Sequence, residues 1–462
     1  MATLNFPEFA KDRGFRYWLR PGNLLAARRS WIRPDHSTEW RDSFAGACES
    51  NRAAPFANLL NPGRTPDGRI RFLILGDTGE GDRSQYGLVP LLRAINPDFM
   101  IIAGDVAYPA GRINGAKPEL DDYRCGFFQP YRNLNCPIWA VPGNHEYYSD
   151  QRGWEFFQIF CTHGFSAAWH QHGLRLVCQP GTYWELSDPE GQTDLVVIGL
   201  DTGQSANLDG QKPWWQIWKT RPPRDFRQHD WLRDRLDRAD RQGQKVIVLF
   251  HIPALVRGDH ESGTHLKELH QILGGHPCVR LAVAGHEHNF QYYDSVQFAR
   301  YLADEHHVAP GPWAAPEYIV SGGGGAYLTP PKFTNTRFQC VTYPTSDQWE
   351  KYANWAHNAI DRVNMNKSIF ARALIRTAEF FQGFKKDAFV DADAARYLSF
   401  LLVEVTPRTV AAPAETTVTP VFMDDLDSLY APEEQVDVQA GVPPIRREAA
   451  DSCLRRELRL VL

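Results

Sequence analysis

The chain has 462 residues, 43% hydrophobic and 23% charged, with 50 basic against 55 acidic side chains. A formal charge of −5 in so ordinary a globular composition excludes general electrostatic affinity for nucleic acid or anionic membranes. No run approaches the roughly 20 apolar residues that span a bilayer. The N-terminal MATLNFPEFAKDRGF lacks the apolar core of a signal peptide, so a cytoplasmic protein is expected.

Residues 1–66 are polar, aromatic and punctuated by Pro and Gly, and read as an N-terminal extension. Regular alternation begins at Arg69. RIRFLIL, DFMIIAG and PIWAVPG read as strands, with SQYGLVPLLRAI and CGFFQPYRNL as helices between them. WEFFQIFC continues as a helix, and TYWEL with DLVVIGLD as a pair of strands. KPWWQIWKTRPPRDF reads either as an apolar insertion or as an aromatic platform. HDWLRDRLDRADRQG is a solvated helix that Gly243 would cap. KVIVLFH, VRLAVAGH and PEYIVSGGGG follow as strands, with THLKELHQIL as a helix between the first two. The run Ser321 to Gly325 is either a close backbone approach or a flexible turn.

Strands alternating with helices make 67–330 a layered α/β domain. Residues 331–406 read as an addition that packs on it: two amphipathic helices, then YLSFLLVEVTP as a late strand docking on the main sheet. Residues 407–462, with VAAPAETTVTP and an acidic stretch, read as a low-complexity, poorly ordered tail.

Five of the apolar runs end in residues able to ligate a metal. They are Asp77 in LILGDTG, Asp105 and Tyr108 in IIAGDVAYP, Asn144 in VPGNHE, His251 in VIVLFHIP, and His286 with His288 in AVAGHEH. Ligands bind beyond the carboxyl ends of strands in open α/β sheets, so these side chains are expected to converge on one sheet edge. Carboxylate, imidazole, amide and phenolate together suit two hard or borderline cations held close. Such a pair, about 3.5–4 Å apart, neutralises a phosphate ester, lowers the pKa of a bound water and aligns its attack. Asp105, central in the order, is the candidate bridge.

The ordered set GD, GD, GNHE, H, GHxH resembles the calcineurin-like metallophosphoesterase superfamily, and within it the purple acid phosphatase branch. The usual first motif is Asp-x-His, whereas Asp77 is followed here by Thr78 and Gly79. The compensating GDxxY of purple acid phosphatases is present as Asp105-Val106-Ala107-Tyr108. The resemblance implies a layered sandwich of two central β-sheets flanked by helices. It implies Fe(III) held by Asp77, Tyr108 and His288, with Asp105 bridging to a second ion, Fe(II), Zn or Mn, on Asn144, His251 and His286. A phenolate ligand agrees with a hard trivalent ion.

For function, the resemblance implies a hydrolase acting on a small phosphorylated substrate, monoesters ahead of diesters. A phosphodiesterase, or a non-catalytic scaffold of the same fold, are the alternatives. Asn144 and His145 would contact the phosphoryl group, and His260 would bind substrate or protonate the leaving oxygen. Glu146 is expected to orient His145 or to cap the following helix.

Overall fold

FLIL, FMIIA, IWAV, VIVL and LAVA are apolar at every position, the pattern of a strand covered on both faces. The computed structural model describes residues 21–23, 52–60, 68–79, 81, 83–113, 121–132, 134, 136–149, 153–162, 174–203, 226–257, 266–307, 315–326, 328, 338–348, 350, 397–423 and 447–462. The strands are β1 Ala53–Pro55, β2 Ile70–Leu75, β3 Phe99–Ala103, β4 Pro137–Val141, β5 Arg175–Leu176, β6 Trp184–Ser187, β7 Leu195–Gly199 and β8 Lys245–Leu249. They continue with β9 Val279–Ala284, β10 Phe290–Tyr293, β11 Glu317–Ser321, β12 Val341–Tyr343, β13 Leu398–Thr406, β14 Glu415–Met423 and β15 Leu460–Val461. The main helices are α1 Arg83–Ile95, α2 Trp154–Cys161, α3 Phe226–Gln242, α4 Lys267–Gly275, α5 Ser295–His306 and α6 Arg447–Ser452. Gly243, at φ +64°, ends α3 as expected, and the Asp294 carboxylate caps α5 by accepting the Gln297 N–H.

The strands form two sheets, as the family resemblance implies, and not the single sheet edge that the strand-end pattern suggests. A seven-stranded sheet has the order β15-β14-β13-β2-β3-β4-β5, with β2 to β5 parallel and β13 to β15 antiparallel. An eight-stranded mixed sheet has the order β1-β6-β7-β8-β9-β11-β10-β12. Alternate residues of each strand face opposite sides. Phe72, Ile74, Ile101 and Trp139 of the first sheet therefore pack against Val197, Ile247, Leu249 and Val283 of the second. Leu73, Leu75, Met100 and Ile102 turn outward beneath α1 and α2, through Leu88, Leu92 and Phe156. Val196, Val246, Val248 and Ala282 turn outward beneath α3, α4 and α5. The result is a four-layer helix–sheet–sheet–helix sandwich. Among the described residues no helix is long and apolar enough to cross a membrane.

The glycine run takes the first of its two sequence readings. A Cβ at Gly323 would overlap Ser399, and one at Gly324 would overlap the Gly76 carbonyl, so this backbone seals the sheets together. The expected disordered tail is corrected in part. Residues 415–423 form β14, paired along its length with β13, and Leu460–Val461 pairs with β14 in turn. TTVTPVF is rich in β-branched residues, and that propensity outweighs the Thr/Pro bias of the segment. The expected docking of YLSFLLVEVTP is found: β13 lies antiparallel to β2, with Leu401 opposite Ile74. The two predicted helices between 346 and 384 lie almost wholly outside the described residues, as do residues 212–225 of the tryptophan-rich segment.

Leu401 is fully buried between the sheets, so Leu401→Ala is expected to lower the unfolding free energy by about 2–5 kcal/mol. Val410→Ala, at an exposed turn, should change it by less than about 0.5 kcal/mol. Urea unfolding of both variants checks this, and equal stabilities would show that β13 is not integral to the core.

Candidate metal centre

Asp77, Asp105 and Tyr108, and Asn144 follow β2, β3 and β4 of the seven-stranded sheet. His251, and His286 with His288, follow β8 and β9 of the eight-stranded sheet. Backbone hydrogen bonds join the sheets at these ends: Gly76 N–H donates to Ser321 O at 2.8 Å. The site is thus assembled across the seam of the sandwich.

All seven predicted ligands come together, in two overlapping groups. The Tyr108 hydroxyl lies 3.0 Å from Asp77 Oδ1, 2.9 Å from Asp105 Oδ2 and 3.0 Å from His288 Nε2. His251 Nε2 lies 3.2 Å from Asp105 Oδ2, 3.0 Å from Asn144 Oδ1 and 3.3 Å from His286 Nδ1. Donor atoms of Asp77, Asp105 and His288 fall within 4.8 Å of one another, as do those of Asp105, His251 and His286. Asp105 belongs to both groups, as a bridge must.

The chemistry of this donor set fits two cations. One phenolic proton cannot satisfy two carboxylates and an imidazole at once. In the second group, the His251 Nδ1–H donates to Ala103 O at 2.9 Å, which in the neutral ring leaves a lone pair on Nε2. That lone pair faces a carboxylate oxygen and an amide oxygen, an arrangement that repels until a positive charge enters. In the ion-free chain a proton supplies it. Burial pulls the His251 imidazole down, but Asp105 and Asp77 outweigh burial and carry it up to about 9. Burial likewise pushes Asp105 up, yet His251 and His145 hold it well below the usual carboxylate range. An imidazole oriented through its other nitrogen by a backbone carbonyl is the usual preparation of a metal ligand.

The backbone is bent to this purpose. Asp77, Asp105 and His286 have φ of 57°, 51° and 74°, in the left-handed region that costs a non-glycine residue about 1–3 kcal/mol. Gly143 is required for space, because any Cβ there would overlap the Asp105 carboxylate.

Glu146 corrects its sequence reading. It is 1% exposed and accepts four backbone N–H groups: Asp105 at 3.1 Å, Val106 at 2.9 Å, Ala107 at 3.1 Å and Gly143 at 2.7 Å. It therefore ties the β3 loop to the β4 loop and holds Asp105 in its strained conformation. His145 is oriented by other groups: its N–H donates to Asp105 Oδ1 at 2.9 Å, and its Nδ1 meets Pro109 O at 2.8 Å. Burial pulls the His145 imidazole down, against the pull of Asp105. Asn144 donates from Nδ2 to the Tyr148 hydroxyl at 2.8 Å, which turns Oδ1 toward His251. Thr202 accepts the His251 N–H at 2.8 Å. Sequence reasoning missed the roles of Tyr148 and Thr202. The stretch LDTG at 200–203 repeats the GDTG pattern of Asp77 and was the available signal for Thr202. His260 lies outside the described residues.

Residues 70–290 match the family model described as Calcineurin-like phosphoesterase. The matched span contains every predicted ligand. Among solved structures, the chain is similar to GAP50, the anchor in the inner membrane complex of Plasmodium, with a TM-score of 0.44 and 13% identity. That match covers 77% of this chain and 84% of that one. It is similar to purple acid phosphatase PPD1 from yellow lupin (Lupinus luteus) seeds, with a TM-score of 0.44 and 14% identity over 79% of this chain and 53% of that one. It is also similar to a dimetal phosphatase from Danio rerio, with a TM-score of 0.36 and 15% identity over 59% of this chain and 92% of that one. No curated protein matches the sequence.

Glu146→Gln keeps the shape of the clamp but turns an amide donor toward N–H groups that now lack an acceptor. Each N–H left unpaired costs roughly 1–3 kcal/mol, so above about pH 8, where the Glu146 clamp is a carboxylate, the ion-free variant should unfold at distinctly lower urea than the parent. Unchanged stability of the ion-free protein would show that the four contacts do not hold these loops.

Proposed function

We propose that the protein hydrolyses phosphate esters, monoesters in preference to diesters, at a centre of two cations. The observation that carries this reading is the Tyr108 hydroxyl, within hydrogen-bond distance of Asp77, Asp105 and His288 at once. Beside it stands the second group built on the same Asp105. Asp77, Tyr108 and His288 would hold one ion, Asn144, His251 and His286 the other, and Asp105 both. When bound, the ions supply charge neutralisation at the phosphoryl oxygens and a water of lowered pKa.

The chain's own groups do the rest. Asn144, its amide fixed by Tyr148, lies at the rim beside His145 and suits an ester oxygen on which charge gathers. His145 has its Nδ1 taken by the Pro109 carbonyl and brings Nε2 to 3.8 Å from Asp105 Oδ2, the side on which a phosphoryl group would bind. His145 is one candidate to protonate the leaving oxygen, and His260 is the other. The Tyr108 phenolate favours Fe(III) in its group, with Fe(II), Zn or Mn in the second.

Purified, ion-loaded protein should hydrolyse an aryl phosphate monoester faster than the bis-aryl diester. Asp105→Ala should lower that rate by roughly 10²–10³-fold, the scale of losing one charge-stabilising group. Hydrolysis of neither ester would sink the proposal, and fewer than one ion per chain after reconstitution would favour a scaffold. Iron-loaded protein should show a visible charge-transfer band that Tyr108→Phe abolishes. A colourless, fully active protein would refute iron while leaving the hydrolase intact.

A further inference from the structure

The loop after β7, Asp201 to Gly203, carries no predicted ligand, yet it touches both sheets' contributions to one half of the centre. The buried Thr202 hydroxyl accepts two backbone N–H groups, from His251 at 2.8 Å and from Ile252 at 3.0 Å. With the ring already oriented by Ala103 O, His251 is thus fixed at both backbone and side chain. On the other side, the Asp201 carboxylate accepts the Tyr147 hydroxyl at 2.6 Å. Tyr147 lies in the 3-10 turn Glu146–Tyr148, directly after Asn144 and His145. Gly203 presses against the Gly143 carbonyl and the Tyr147 ring, where a Cβ would overlap both.

The loop itself is held from below. The Gln228 side chain of α3 accepts the Asp201 N–H at 2.8 Å and donates to Asp201 O at 3.0 Å. Leu200 N–H extends the β7–β8 ladder by donating to Leu249 O at 2.8 Å. The loop is therefore a rigid bracket with His251 on one arm and the Asn144 turn on the other. The atoms it brings together are His251 Nε2 and Asn144 Oδ1, at 3.0 Å. The other half of the centre hangs elsewhere: Asp77 is tied through its backbone to Gly104 O and to the Ala326 N–H.

We propose that Asp201 and Thr202 are positioning residues that set the affinity for one cation only, the ion shared by Asn144, His251, His286 and Asp105. This rests on the two-cation reading above. Neither residue touches the ion. Each acts through the ligand, or the ligand-bearing turn, that it holds.

Zn(II) alone, titrated in competition with a chromophoric chelator, is the probe. The parent should bind two ions per chain. In Thr202→Val one dissociation constant should rise by roughly 10–100-fold, the usual effect of losing an outer contact to a ligand, with the other unchanged. Thr202→Ser, which restores the acceptor oxygen, should return the parent value. Tyr147→Phe, which removes only the far contact of the bracket, should weaken the same constant and decides the matter if Thr202→Val fails to fold. Tyr108→Phe should weaken the other constant. Parent-like affinities in both bracket variants, or an equal fall of both constants, would overturn the inference. A parent that binds no Zn(II) would instead overturn the two-cation reading and this inference with it.

Discussion

Asp77 and Asp105 are buried at 0% and 1% exposure, and one phenolic hydroxyl reaches both. Two carboxylates cannot be taken from water so close together without compensating positive charge. The neighbourhood supplies two things in answer: imidazoles and backbone N–H groups. His251 takes up positive charge in the ion-free chain. Asp77 Oδ2 accepts the His286 N–H at 2.7 Å, and Asp105 Oδ1 accepts that of His145. The left-handed turns at Asp77, Asp105 and His286 follow from the same need, since they aim side chains and N–H groups at a common point.

A third carboxylate, Glu146, lies behind the first two. Burial and the charge of Asp105 push it up to about 8, while its four N–H donors oppose that rise. Its contacts are all backbone, so its effect is on loop shape. The same economy appears at Thr202, where one hydroxyl orders two N–H groups. The candidate ligands are side chains, but the groups that hold them act largely on the main chain.

That division explains what was legible in the sequence. Asp77, Asp105, Tyr108, Asn144, His251, His286 and His288 were visible because each follows a run apolar on both faces, where a polar residue needs a reason. Two sheets were not legible from those runs, since parallel strands of either sheet read alike; the family resemblance supplied that answer. Glu146 stood inside a visible motif, but nothing in its residue type says which N–H groups it will accept. β14 was hidden by its composition. Pro420 sits inside it opposite Leu401, and its carbonyl accepts the Arg455 N–H at 2.9 Å, so its backbone faces away from β13 and the missing N–H takes no bond from the β13 ladder. Alternating threonines gave no apolar run to read.

Each half of the centre draws on both sheets. Asp77 and Tyr108 meet His288 in one half, and Asn144 meets His251 and His286 in the other. The spacing between the two halves is therefore set by how the sheets face each other, which is a property of the core. Trp139 of β4 packs edge-on against Trp184 of β6, with ring centroids 4.9 Å apart, and the Trp184 indole N–H donates across the interface to Ala140 O at 3.0 Å. Close-packed interiors resist small displacements and transmit them. A shift of one sheet on the other would move His251, His286 and His288 together relative to Asp77 and Asp105. The interlocked indoles thus belong to the same constraint as the buried carboxylates: the packing fixes the distance across which their charge must be balanced.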